Sequence, residues 1–184
     1  MNANPLCGSK VRLTALSKED ARVIARWSED GEYLRLQDTH TALPQTEAQA
    51  ASEIEKMGES RDTIGLGIRK VEDGALIGTV EFCEIEWNNQ CAWLGFGIGD
   101  RTEWGKRYGT EALQLALRYA FTELNFHRLT LTVIATNERA IALYEGAGFK
   151  REGVFREFGL RDGRRYDLLL YGLLRTEWEA APRV

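Results

Sequence analysis

The chain has 184 residues, 43% hydrophobic and 28% charged, with a formal net charge of −4. That length and balance suit one globular domain over residues 1–184 and argue against disorder. There is no basic excess to neutralise a nucleic-acid backbone, and no apolar run approaches the roughly 18–20 residues that span a bilayer, so neither partner is expected.

Residues 1–10 hold no apolar signal-peptide core, which makes a cytoplasmic location the expectation. Cys7, Cys83 and Cys91 form no C-x-x-C, in keeping with a reducing compartment. His40 and His127 are too few to suggest a His-based metal site, and no metal is expected.

In chain order, residues 10–15 alternate Val11, Leu13 and Ala15 with polar residues, which predicts a half-buried strand. Ser17 caps a helix over 18–28, where Ala21, Ile24, Ala25 and Trp27 recur at helical spacing. Residues 29–44 read as irregular and acidic, and a second helix is expected over 46–57, ending near Gly58. Strands follow at 63–70, 75–87 and 91–99, separated by turn signals at Asp73-Gly74 and Asn88-Asn89. A strongly apolar helix is predicted over 108–124, a β-branched strand over 129–135 and a short helix over 137–146. Two strands, 149–158 and 165–174, flank the Asp162-Gly163 turn. The order β-α-α-β-β-β-α-β-α-β-β predicts an α/β fold, mostly antiparallel, with the 108–124 crossover joining two parallel strands.

Gly105 and Gly109 bracket Lys106, Arg107 and Tyr108 between a strand and a helix. A helix N-terminus offers unpaired N–H groups and partial positive charge, which suits phosphate. A Walker A loop is excluded, because Asp100 and Arg107 stand where glycine and Ser/Thr are needed. A dinucleotide G-x-G-x-x-G is excluded by Asp100 and Thr102. What remains is either a plain turn or a phosphate cradle of another kind. In the preceding strand Gly95, Gly97 and Gly99 share one face, which suits a closely packed helix or an extended ligand arm. Further on, Asn137, Ala140 and Tyr144 lie on roughly one side of a helix, with Asn137 a good N-cap. They read either as a cap and a core tyrosine or as a ligand-bordering face.

Together these stretches resemble the GNAT superfamily of acyl-CoA N-acyltransferases. The run W-G-K-R-Y-G-T-E-A-L at 104–113, G-F-K-R-E-G at 148–153 and D-G-R-R-Y-D-L-L-L at 162–170 are similar to the branch of ribosomal-protein N-terminal acetyltransferases. The resemblance implies a mixed, mostly antiparallel central sheet with helices on both faces and a splayed pair of parallel central strands. It implies acetyl-CoA as co-substrate, a primary-amine acceptor and direct attack in a ternary complex. Backbone amides from Trp104, Gly105, Lys106, Arg107, Tyr108, Gly109 and Thr110 would hold the pyrophosphate. Phe96, Gly97 and Ile98 would pair with the pantetheine arm, and Asn137 and Ala140 would border it. Tyr144 would hydrogen-bond the leaving sulfur. Arg107 replaces the family's inner glycine, and is expected to keep helical φ/ψ with its side chain turned onto a phosphate. A homodimer is an expectation from the resemblance alone.

The chemistry also needs a base for the ammonium form of the acceptor. Glu81, Glu84 and Glu86 are nearest in sequence. Glu84 and Glu86 share a face if no bulge intervenes, with Glu81 on the other; the three read as a solvated face or as a base acting through water, for which Glu84 is the carboxylate named beside Tyr144. Trp93 stands where relatives often carry a carboxylate. The acidic stretch 29–38 reads equally as an attractor for a cationic amine or as a solvated loop. Three functions follow: acetylation of a protein or peptide N-terminus; acetylation of a small amine such as a polyamine, amino acid or antibiotic; or non-catalytic coenzyme A binding, against which Tyr144 speaks. Cys83 and Cys91 have no base nearby in sequence, which weighs against acyl transfer through a cysteine.

Overall fold

A computed structural model describes residues 4–181. Seven strands form one sheet: β1 (Val11–Ala15), β2 (Ile64–Lys70), β3 (Leu76–Glu86), β4 (Cys91–Ile98), β5 (Arg128–Ile134), β6 (Lys150–Arg161) and β7 (Arg164–Leu174). Their order is β1-β2-β3-β4-β5-β7-β6. All neighbours are antiparallel except β4 and β5. The expected mixed sheet is therefore present, with its one parallel pair at the centre.

Six helices accompany it: α1 (Ala21–Trp27), α2 (Gly31–Gln37), α3 (Glu47–Glu59), α4 (Tyr108–Thr122), α5 (Glu138–Gly146) and α6 (Arg175–Ala180). The crossover between the parallel strands is α4, whose Ala112, Leu113, Ala116, Leu117 and Ala120 are fully buried against the sheet. This is the apolar stripe that the sequence shows at helical spacing. On the other face α1 and α3 pack through Ala21, Ala25 and Ala50, small residues that allow close approach, together with Ile54.

Two helices depart from the sequence reading. Residues 31–37, expected to be irregular, form α2, because the Asp30 carboxylate accepts from the N–H groups of Glu32 (3.0 Å) and Tyr33 (3.2 Å). The C-terminal α6 follows β7 and rests its Trp178 ring on Phe121, 5.3 Å between centroids. The Asp162-Gly163 turn is present, with φ of 49° and 71°, but β6 runs three residues beyond its expected end.

The feature that creates a site is the short contact between β4 and β5. They pair only at residues 91–93 against 128–130, and then separate. Gly99 donates its N–H to Ile77 on β3 at 2.9 Å. By alternation, Gly97 also faces β3, whereas the N–H and C=O of Phe96 and Ile98 face the gap left by β5.

Candidate active site

The gap opens into a cavity of about 1060 Å³ bordered by β4, β5, α2, α5 and the loop before α4. Of the residues expected at the site, Glu84, Phe96, Gly97, Ile98, Trp104, Gly105, Arg107, Tyr108, Gly109, Thr110, Asn137, Ala140 and Tyr144 line it. Lys106 does not. Its ammonium pairs with Glu103 at 2.8 Å.

The loop is built by backbone geometry. Asp100 accepts from the N–H of Thr102 at 2.9 Å and starts a short 3-10 turn, Arg101–Glu103. Gly105 then takes φ +77° and Arg107 φ +69° with ψ 12°. Arg107 is thus left-handed rather than helical, and this corrects the sequence expectation. A non-glycine residue pays on the order of 1 kcal/mol for that conformation. Among the described residues none accepts from the N–H groups of Gly105, Lys106, Arg107, Tyr108, Gly109 or Thr110. Trp104 is different: its N–H is spent on the Arg101 carbonyl at 3.1 Å, so it is no free donor. Its indole N–H donates to the Ile98 carbonyl at 2.7 Å and closes the end of β4. Six successive unspent donors at the positive end of a 15-residue helix fit a diphosphate.

The glycine face proves to be the packed-helix kind. An added Cβ at Gly99 would enter the Trp27 indole of α1, and one at Gly97 would meet the Gln37 amide of α2. The free hydrogen-bonding groups lie instead on the β4 edge, at the N–H and C=O of Phe96 and the N–H of Ile98, whose carbonyl is taken by the Trp104 indole. The cradle therefore fits coenzyme A, with Gly97 sparing room for α2 rather than offering its own backbone.

Asn137 is 8% exposed and joins two walls. Its Oδ1 accepts from Ala140 N–H at 3.2 Å, as a helix cap, and its Nδ2 donates to the Leu36 carbonyl at 3.4 Å. Tyr144 packs its ring edge-on against Phe149 at 5.8 Å. Burial pushes its hydroxyl up to about 12, and that hydroxyl has no hydrogen-bond partner among the described residues.

The carboxylates are arranged differently from the sequence reading. A bulge lies between Cys83 and Glu86, with Glu84 at φ 49°. The extra residue shifts the alternation, so Glu81, Cys83 and Glu84 all border the cavity, while Glu86 borders a smaller one of about 310 Å³ beside it. Glu81 stands opposite Gly95. Burial, with the Glu53 charge second, raises its carboxyl above the usual range. Burial likewise pushes the Cys83 thiol up to about 11, which disfavours the thiolate a nucleophile needs. Part of the acidic stretch is paired: Arg101 meets Asp30 (3.2 Å) and Glu32 (2.7 Å), and a His40 ring nitrogen lies 2.9 Å from Asp38.

Tyr33, Glu53 and Arg139 also border the cavity and were not anticipated. Only Tyr33 had a local signal, the Asp30 cap three residues before it. Among the described residues no group of three or more His, Cys, Asp or Glu is set to hold a metal ion, and no helix is long and apolar enough to cross a membrane.

A splayed parallel strand pair, an anion loop at a helix start and a capped neighbouring helix define an acyltransferase that draws on a coenzyme A thioester. The chain belongs to the acetyltransferase (GNAT) domain family, whose model matches residues 10–150. It is 29% identical to the uncharacterized N-acetyltransferase p20 of Bacillus licheniformis, covering 92% of this chain and 95% of that one. It is 29% identical to the putative ribosomal N-acetyltransferase YdaF of Bacillus subtilis (strain 168), over 91% and 87%. The structure of spermidine N-acetyltransferase from Vibrio cholerae, in complex with CoA and spermine, superposes with a TM-score of 0.85 at 25% identity, covering 94% of this chain and 99% of that one. The protein is thus an acetyl-CoA-dependent N-acetyltransferase.

Proposed function

We propose that the acceptor is a small, multiply charged primary amine of the polyamine class. The observation that carries this reading is the set of three carboxylates, Glu53, Glu81 and Glu84, bordering the same cavity as Tyr144. Burial and the charge of Glu53 both disfavour ionised Glu81. An ammonium bound beside it offsets both effects, so cation binding and carboxylate ionisation support one another.

Acetyl-CoA supplies the activated acetyl carbonyl. Gly105 and residues 107–110 hold the diphosphate through backbone N–H groups, and Phe96 and Ile98 align the arm, which places the carbonyl for attack. The Ile98 N–H, facing the gap, steadies the oxyanion. One ammonium proton passes through water to Glu81 or Glu84; the amine nitrogen then forms its bond to the carbonyl carbon, the C–S bond breaks, and the nitrogen's second proton goes to the departing thiolate, which leaves as the thiol. With its hydroxyl at about 12, Tyr144 is a far weaker acid than a thiol near ~8.5. Full proton transfer to the sulfur is uphill by about 5 kcal/mol, so Tyr144 acts as a hydrogen-bond donor to the leaving thiolate.

A peptide or protein N-terminus is the second reading, favoured by the likeness to the putative ribosomal N-acetyltransferase over 91% of the chain. Thiol release from acetyl-CoA with spermidine, a monoamine and short peptides separates the two. Spermidine is expected to give the highest kcat/KM, and Glu81→Gln to reduce it by roughly tenfold. A preference for peptides, unaffected by Glu81→Gln, would overturn the polyamine reading. Tyr144→Phe should lower kcat by roughly a hundredfold with either acceptor, with little change in acetyl-CoA affinity.

A further inference from the structure

Arg139 lies in the first turn of α5, outside the loop that the family resemblance singles out. Its guanidinium carbon sits 3.4 Å from the centroid of the Trp104 ring. Trp104 is itself fixed, because its indole donates to Ile98, and it immediately precedes Gly105. A planar cation held flat on a fixed ring has little rotamer freedom left to lose on binding.

Arg139 feels the Glu32 charge only at a distance, and that of Arg101 opposes it. The neighbouring Arg101, 5.3 Å from the same ring, is paired with Asp30 and Glu32. Arg139 makes no ion pair and no hydrogen bond among the described residues, although burial already opposes its charge. It borders the same cavity as the six unspent N–H groups that follow Trp104. Of the loop's two cations, Lys106 is spent on Glu103, while Arg107 borders the cavity.

We propose that Arg139, presented by the face of Trp104, binds the diphosphate of coenzyme A and supplies the side-chain charge that Lys106 withholds. A guanidinium offers two parallel N–H donors to a phosphate, and the Trp104 platform sets their direction.

Calorimetric titration of the intact protein with CoA, dephospho-CoA and pantetheine tests this without any acceptor. Arg139→Gln is expected to weaken CoA and dephospho-CoA binding alike by roughly tenfold or more, and to leave pantetheine unchanged. Arg139→Lys should fall between, since it keeps charge without the fork. Trp104→Leu should reproduce the loss, and adding it to Arg139→Gln should give little further effect. Thermal midpoints of the variants establish that the fold persists. Unchanged CoA affinity in Arg139→Gln would overturn the proposal. So would an equal loss for pantetheine, which marks a structural role, or a loss confined to CoA, which assigns Arg139 to the 3′-phosphate. The outcome does not depend on the acceptor, so the polyamine reading stands or falls separately.

Discussion

Asn137 donates from Nδ2 to the carbonyl of Leu36, and so ties α5, on the coenzyme side of the cavity, to the end of α2. The same amide caps α5 through Oδ1. Two substitutions separate these duties. Asn137→Asp keeps a capping oxygen but sets a carboxylate against a carbonyl, whereas Asn137→Ala loses both contacts. The alanine variant should be less stable than the aspartate by about 1 kcal/mol. Both should raise amide hydrogen exchange in residues 31–37. Unchanged exchange there would remove Asn137 as the tie between the walls.

Glu81 should trade stability for function. Its folded pKa is raised, so the folded state binds the proton more readily than the unfolded chain. Stability from this group is therefore full below the unfolded pKa and is lost as pH rises through the folded value. Glu81→Gln removes the penalty. It is expected to raise the thermal midpoint at pH 7 by roughly 1–3 °C, with the gain vanishing near pH 4. Melting curves across that range check the sign, and a midpoint that falls at pH 7 would contradict the account.

Gly99 and Gly97 should respond differently to alanine. At Gly99 the new methyl enters the indole of Trp27, which is 7% exposed and cannot move aside cheaply. A cost of about 1–3 kcal/mol is expected. At Gly97 the obstacle is the end of the exposed Gln37 side chain, which can swing away. Gly97→Ala should cost less than about 1 kcal/mol in urea denaturation, and equal losses at both positions would refute this packing argument.

Arg107→Gly should relieve the left-handed strain at φ +69° and hold or raise stability by up to about 1 kcal/mol. Coenzyme A affinity should fall in the same variant, because the Arg107 side chain borders the cavity. Melting and calorimetry together separate the two effects. A variant that melts lower would show that Arg107 carries no strain.

The alternation of Val11 and Leu13, the helical stripe of 108–124 and the turn pairs Asp73-Gly74 and Asp162-Gly163 were readable because each depends on residues close in sequence. The Gly105–Gly109 loop and the Asn137–Tyr144 spacing were visible as patterns, whose reading the sequence left open. That Glu84 falls on the same side as Glu81 was not readable, because one extra residue at the 83–86 bulge re-aims the strand.

The sequence by itself determined the order of the seven strands and of four helices, which local backbone preferences set, and through its resemblance to the GNAT superfamily the class of chemistry. Only the tertiary structure decided which side chains meet one another around the cavity. It turned Lys106 onto Glu103, laid Arg139 on Trp104 and brought Glu53 of α3 near Glu81 of β3. Such partners depend on how elements far apart in the chain pack, and packing is settled by the whole core at once.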